Sequence, residues 1–441
     1  MMATQAVKMG IRIVVRDWLL KMVCLLGCIS AHAVTLEEAI ESAIKNDSAL
    51  RVSKLNLLAT EENVIINRSR FFPQISLQGS SSQLTQTTIQ DLPTGGSLNR
   101  SFTGPSVNHQ LVLRQALIRP KELSLLRIAE LQTAYMALKY KYDVHNLKYK
   151  VTIAWIELLA TQQIVQLNER PLSYMQASMN QERAKFEHGD STRDAVMEVE
   201  AQYENVKATH MQAVAALKAR QNGFEKLTKL PATPFLDKKL SIEPVRIFFD
   251  DEKMKIWTNL REQSLEIQMS KLQELMQLEK VRIAEADHKP TLDLLASVNF
   301  AQNDATSTQG FQYKNKQLGV QYSVPLYSGG GISAATRQAN LSFEAGRLET
   351  EVLTVKLEND FENNWSQIVS TATRQKALFD SYLSALEQLK ATRRGLDLGV
   401  KSISDLASNE LTISRRMMDL VNNTQEYLKS ILKIQQFNAL N

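Results

Sequence analysis

The 441-residue chain is short of cysteine: only Cys24 and Cys28 occur, both inside the first 33 residues. Removal of that segment would leave no disulfide, thiolate nucleophile or thiolate metal ligand. Glycine and proline are scarce as well, at 16 and 10 residues. Long tracts free of both predict helices far longer than the roughly 11 to 12 residues usual in globular proteins. No Gly-rich phosphate loop ending in Lys-Ser/Thr is present, which excludes nucleotide hydrolysis by this chain. The six histidines (His32, His109, His145, His188, His210 and His288) lack metal-ligand spacing, and no nucleophile elbow or paired-acid constellation stands out. No active site, metal or cofactor is expected.

The N-terminal segment reads as a secretory signal. Lys8, Arg12, Arg16 and Lys21 precede an apolar run from Met22 to Ile29 and the small-x-small site Ala31-His32-Ala33. Cleavage after Ala33 is the favoured reading; lipidation of Cys28 within Leu25-Leu26-Gly27-Cys28 is the alternative. Lys21 cuts the apolar run well below the ~20 residues of a helical span. Loss of the leader removes four basic residues and one acidic one, lowering the formal charge from +5 to +2, so nucleic acid is not expected as a partner.

An internal repeat organises the rest. At an offset of 217, Ser53, Lys54, Leu55, Leu58, Glu62, Pro73 and Leu77 meet Ser270, Lys271, Leu272, Leu275, Glu279, Pro290 and Leu294. Beyond Arg127 the offset becomes 210, pairing Leu147, Trp155, Gly189 and Glu200 with Leu357, Trp365, Gly399 and Glu410. The seven-residue difference places a longer, exposed loop in the first copy near Leu92–Pro105. The first copy, 34–229, predicts a helix at 35–71, strands at 74–86 and 106–118, and helices at 120–186 and 191–229. The second, 252–441, predicts a helix at 252–288, strands at 291–303 and 313–327, and helices at 333–397 and 402–437. Residues 230–251, with Pro231, Pro234 and Pro244, form a linker or small lateral (equatorial) segment.

The strands alternate with period two. Leu292, Leu294, Ala296, Val298 and Phe300 interleave with Thr291, Asp293, Leu295, Ser297 and Asn299; Leu318, Val320, Tyr322 and Val324 interleave with Gln317, Gly319, Gln321 and Ser323. Segments of about ten residues, apolar on one face and polar on the other, suit transmembrane barrel strands. Four strands do not close such a barrel, and an open sheet edge is not viable in lipid, so the barrel must be shared between subunits. The pattern alone allows a dimer or a trimer. The longest helices, about 65 residues each, would span ~100 Å at 1.5 Å per residue. An apolar stripe through Leu138, Val144, Leu147, Val151 and Trp155 supplies a coiled-coil seam.

Four stretches carry a resemblance to a known family. Val34-Thr35-Leu36-Glu37-Glu38-Ala39-Ile40 to Asn46 opens the mature chain, and Leu113-Arg114-Gln115-Ala116-Leu117-Ile118-Arg119-Pro120 forms a first strand-to-helix junction. Val324-Pro325-Leu326-Tyr327-Ser328-Gly329-Gly330-Gly331, leading into Arg337-Gln338-Ala339, forms the second. The helix breaks Phe186-Glu187-His188-Gly189 and Leu398-Gly399-Val400-Lys401-Ser402-Ile403-Ser404-Asp405-Leu406 complete the set. Over essentially the whole mature chain these resemble the TolC-like outer-membrane efflux family. The first junction resembles the branch that serves type I protein secretion, except that Ala116 stands where that branch usually has proline.

The resemblance implies a mainly α fold with a small β part: long antiparallel coiled-coil helices, and four strands per subunit in a twelve-stranded barrel and helical tunnel shared by a homotrimer. It implies location in the outer membrane, in contact with its lipid, with a long periplasmic extension. The expected partners are a periplasmic adaptor (membrane fusion protein) and an inner-membrane ABC or proton-driven transporter. By the same resemblance Asp405 and Lys401 match the constricted periplasmic aperture, with Asp194 and Arg193 in the first copy as further candidates; Ser408 replaces a second acidic residue. The expected function is an exit duct for type I protein secretion. Small-molecule efflux and a pore-free coiled-coil scaffold are the alternatives.

Overall fold

The computed structural model describes residues 35–232, 239–245, 250–303 and 311–437; the leader and its cysteines lie outside the described residues. Helix α1, Leu36–Asn46, opens on a capping box: the Thr35 hydroxyl accepts from the Glu38 amide at 3.2 Å and the Glu38 carboxylate accepts from the Thr35 amide at 2.9 Å. It buries Ala39 and Ala43, and the Ser42 hydroxyl donates to the Thr228 carbonyl at 2.7 Å.

The single helix expected at 35–71 is divided, with α2 running over Ser48–Ser69 after a break at Asp47. The helix expected at 252–288 is likewise split into α5, Asp250–Gln263, and α6, Leu265–Ala286, at Ser264. Asp47 and Ser264 are equivalent under the 217-residue offset. Short polar side chains at this position compete for the backbone and favour a cap over helix continuation. Ser264 shows it directly, its hydroxyl accepting from the Ile267 amide.

Strands β1 (Gln74–Asp91), β2 (Ser97–Ile118), β3 (Thr291–Asn303) and β4 (Phe311–Ser323) form one antiparallel sheet in the order β1-β2-β3-β4. The exposed loop expected at Leu92–Pro105 is instead mostly strand. The chain reverses within Leu92–Gly96, where Gly95 (φ 85°) and Gly96 (φ 112°) take the left-handed backbone that side chains disfavour. The extra residues of the first copy therefore lengthen a hairpin. At the other side β4 stops at Ser323, short of the expected 327, because Pro325 has no amide to donate. The register sorts residues cleanly by face: Ile75, Leu113, Ala296 and Leu318 stand in one row, and Ser76, Val112, Ser297 and Gln317 in a row on the opposite face. Among the described residues β1 and β4 each pair on one side only.

Among the described residues are four longer helices as well: α3 (Pro120–Glu187), α4 (Arg193–Thr228), α7 (Gly331–Asp397) and α8 (Ile403–Phe437). The chain divides into two compact units. Of the described residues, one takes in those up to Asp47 and those within Asn146–Asp250 and Asn363–Gln436; the other comprises Ser48–His145 and those within Asp251–Glu362. Each is built from both repeats, so the units cut across the sequence division at 229 and 252.

In the first unit the repeat-equivalent Trp155 and Trp365 are both buried, and Trp155 packs on Phe224 with ring centroids 5.9 Å apart. Pro171 lies inside α3, where its missing amide leaves the Leu167 carbonyl without an intrahelical donor. The Ser414 hydroxyl of α8 fills that place at 2.6 Å. Residues 239–245 of the expected linker are pinned by side-chain amides: Gln375 donates to the Ile242 carbonyl at 3.0 Å, and the Gln163 oxygen accepts from the Leu240 amide at 3.2 Å.

Both helical hairpins of this unit are clamped by the same ion pair in each repeat. Arg183 meets Glu200 at 2.6 Å and Arg393 meets Glu410 at 2.5 Å, positions related by the 210-residue offset. The Glu410 side chain is 5% exposed against 37% for Glu200, so losing its arginine strands a buried charge. Arg393→Ala is expected to accelerate hydrogen exchange across the α7–α8 turn more than Arg183→Ala does across the α3–α4 turn. Ser414→Ala leaves the Leu167 carbonyl unsatisfied and is expected to cost about 1 kcal/mol, read as a lower denaturant midpoint; Ser414→Thr should restore it.

Candidate functional site: the helical turns and strand-to-helix junctions

The two helix breaks are built alike. Gly189 (φ 82°) ends α3 and Gly399 (φ 74°) ends α7 in left-handed conformation. The Gly189 amide donates to the Phe186 carbonyl at 3.0 Å and Asp190 to Lys185 at 2.8 Å; in the second copy Gly399 donates to Leu396 at 3.0 Å and Val400 to Gly395 at 2.8 Å. These are paired Schellman caps, which satisfy the last helical carbonyls and reverse the chain within a few residues. The next helix is then capped at an equivalent position, by Thr192 for α4 and Ser402 for α8. The Thr192 hydroxyl accepts from the Ala195 amide at 3.3 Å, and the Ser402 hydroxyl accepts from the Asp405 amide at 3.1 Å.

Asp405 occupies the third position of α8 and closes a full capping box. Its carboxylate accepts from the Ser402 amide and the Ser402 hydroxyl, both at 2.9 Å. Those bonds, with a smaller contribution from nearby Lys401, hold its carboxyl below the usual carboxylate range. Lys401 is exposed, its stem lying over Gly395, where a Cβ would come within 2.7 Å of the lysine Cγ. Asp405 and Lys401 thus share one turn. Arg193 and Asp194 stand exposed in the first turn of α4, and Ala195 takes the place of Asp405 there, so the first copy has the cap without the carboxylate.

At the strand-to-helix junctions Pro120 is the first residue of α3, where its fixed φ suits the helix and no amide is required. Pro325 ends the pairing of β4, and the left-handed Gly329 (φ 62°) and Gly330 (φ 80°) turn the chain into α7. The first junction also holds a charge cluster that pattern reading passed over. Asp293, 4% exposed, accepts from Arg114 Nη2 at 2.6 Å and Nε at 3.1 Å, and from Arg119 Nε at 2.9 Å and Nη2. A β-bulge between Ala116 and Ile118 brings the two arginines around one carboxylate. Arg70 joins Glu122 at 2.7 Å and Lys121 joins Asp287 at 2.9 Å, tying α2, α3 and α6 together beside it. The sequence signal was a lone acid in a strand beside Arg-x4-Arg, within a stretch already singled out for other reasons.

Among the described residues no group of His, Cys, Asp and Glu side chains is placed to hold a metal ion. Nor is any helix there long and apolar enough to cross a membrane.

Comparison with known proteins agrees with this arrangement. The profile of the family described as Outer membrane efflux protein matches residues 39–230 and 257–437. The chain is similar to Outer membrane protein TolC of Vibrio cholerae, 24% identical over 428 residues, covering 93% of this chain and 92% of that protein. It is similar also to the Alkaline protease secretion protein AprF of Pseudomonas aeruginosa, 25% identical over 424 residues, covering 93% and 85%. In fold it resembles the outer membrane protein VceC of Vibrio cholerae, with a TM-score of 0.74 at 13% identity, covering 91% of this chain and 95% of that one. The chain belongs to the outer membrane efflux protein family: it is a TolC-like channel protein of the cell outer membrane, and not an enzyme.

Proposed function

We propose that three copies of the chain form the exit duct of a type I protein secretion system, working with a periplasmic adaptor and an inner-membrane ABC transporter. The observation that carries this reading is the four-stranded sheet with both edges open. Its apolar face suits lipid and its Ser/Gln/Asn face suits a watery lumen, while the backbone groups of β1 and β4 require partners that lipid does not supply. Joining β4 of one copy to β1 of the next meets that requirement, and three copies give twelve strands. The long helices continue the duct into the periplasm. Similarity to a relative named for alkaline protease secretion, and the Leu113–Pro120 junction, favour protein as cargo over small molecules.

In this reading the Gly189 and Gly399 turns form the periplasmic end, and Asp405 and Lys401, with Asp194 and Arg193, border its aperture. Three Asp405 carboxylates converging on an axis attract cations, and adaptor docking separates the subunits there. The capping bonds hold the Asp405 carboxyl below the ordinary carboxylate range, extending its ionisation toward acid pH. The linked stability is therefore present above the ordinary carboxylate pKa and is lost as pH falls through the lowered value.

Detergent-purified protein is expected to have the mass of three chains and to give long-lived conductance steps in a planar bilayer. A monomer without conductance would overturn the duct. Asp405→Asn, which keeps an acceptor for Ser402 but removes the charge, is expected to lower cation selectivity. Unchanged selectivity in both Asp405→Asn and Asp405→Ala would remove Asp405 from the aperture. Cross-linking in cells that recovered a proton-driven pump in place of an ABC transporter would move the cargo to small molecules.

A further inference from the structure

Alternate residues of the strands build one continuous face. From the helix end of β4 that face reads Tyr322, Val320, Leu318, Lys316, Lys314, opposite Leu292, Leu294, Ala296, Val298 and Phe300 of β3. Tyr322, Val320 and Leu318 suit hydrocarbon; Lys316 and Lys314 are exposed cations. Among the described residues no Asp or Glu shares this face between the Leu292 and Phe300 rows.

The Lys314 amine instead lies 5.9 Å from the centre of the Phe300 ring, and Phe300 stacks on His109 at 6.4 Å between centroids. Gly79 completes the row, its missing side chain leaving room for the imidazole: a Cβ there would come within 2.8 Å of His109 Nδ1. Below, Lys316 borders an apolar groove of ≈ 350 Å³ lined by Ile75, Leu111, Leu113, Val298 and Leu318. Groove and cations are therefore adjacent, apolar toward the helix end and basic toward the hairpin ends.

Their height matches a membrane boundary. Lys316 lies six residues up β4 from Tyr322, or about 20 Å along the strand and about 15 Å along the membrane normal at ordinary barrel tilt. Lys314 lies about 5 Å higher, near the top of an apolar band ~25 Å tall. A lysine in hydrocarbon is costly, but one whose stem rises to the headgroups is not. Two exposed amines on one strand at that level attract anionic lipid headgroups.

We infer that Lys314 and Lys316 bind the phosphate of an outer-leaflet glycolipid whose acyl chain lies in the groove between Ile75 and Leu318. The inference rests on the outer-membrane duct reading, since that reading places the hairpin end of the sheet in the outer leaflet. Native mass spectrometry of protein released from outer membranes in mild detergent tests it. The wild type is expected to retain phosphorylated glycolipid. The double variant Lys314→Gln/Lys316→Gln should lose it by roughly thirtyfold, the worth of two cations at an anionic membrane surface. Trimer mass and conductance should stay unchanged, and Lys207→Gln in α4 should behave as wild type. Equal retention by the double variant, no lipid on the wild type, or retention of phospholipid alone would each overturn the site. Failure of the duct reading shows separately, as a wild type that is monomeric and gives no conductance in a planar bilayer.

Discussion

The unpaired outer edges of β1 and β4 are the constraint on which the rest depends. Amide and carbonyl groups along an edge strand are tolerable in water and prohibitive in hydrocarbon, where each unmet hydrogen bond costs several kcal/mol. A sheet with a lipid-compatible face therefore cannot stay alone in a membrane. The four strands are too few to curl back on themselves. Assembly is in that sense a demand of the backbone, and the side chains decide only which face meets lipid and which meets water.

The helical part answers a related problem at its turns. A helix of 68 or 67 residues ends with carbonyls that need donors, and the chain must reverse without a long loop. Both repeats solve this with the same parts in the same order: a left-handed glycine, two Schellman bonds, a hydroxyl cap and an Arg–Glu clamp. They differ in the burial of the clamp glutamate, deeper at Glu410 than at Glu200, and in the carboxylate at position 405, which only the second copy carries. That asymmetry makes one turn a tighter cap and gives it the charge assigned to the aperture.

At the start of α3, Asp293 shows how the sheet is joined to the helix. One buried carboxylate collects donors from Arg114, on β2, and Arg119, at the start of α3. Because the buried acid is fully bonded only when both arginines arrive, the cluster fixes the angle at which strand passes into helix. Arg70–Glu122 and Lys121–Asp287 add exposed pairs of lower worth.

Periodicity and composition determined much of this by themselves. A period of two gave the strands their faces, scarce Gly and Pro required long helices, and the offset of Gly189 from Gly399 located both turns. Position-by-position rules of this kind need only neighbours along the chain. Other features were decided by tertiary structure. The first-copy excess became a longer hairpin because Gly95 and Gly96 allow a tight turn and strand pairing then extends as far as partners permit. The Asp47 and Ser264 breaks emerged because a short polar side chain chooses between cap and helix according to what it can bond. Arg114 and Arg119 each lie more than 170 residues from Asp293 in sequence, and the Ser414–Leu167 bond spans 247. No local pattern encodes such pairings; they exist only once packing has brought the elements together and removed the water that would otherwise have bonded each group.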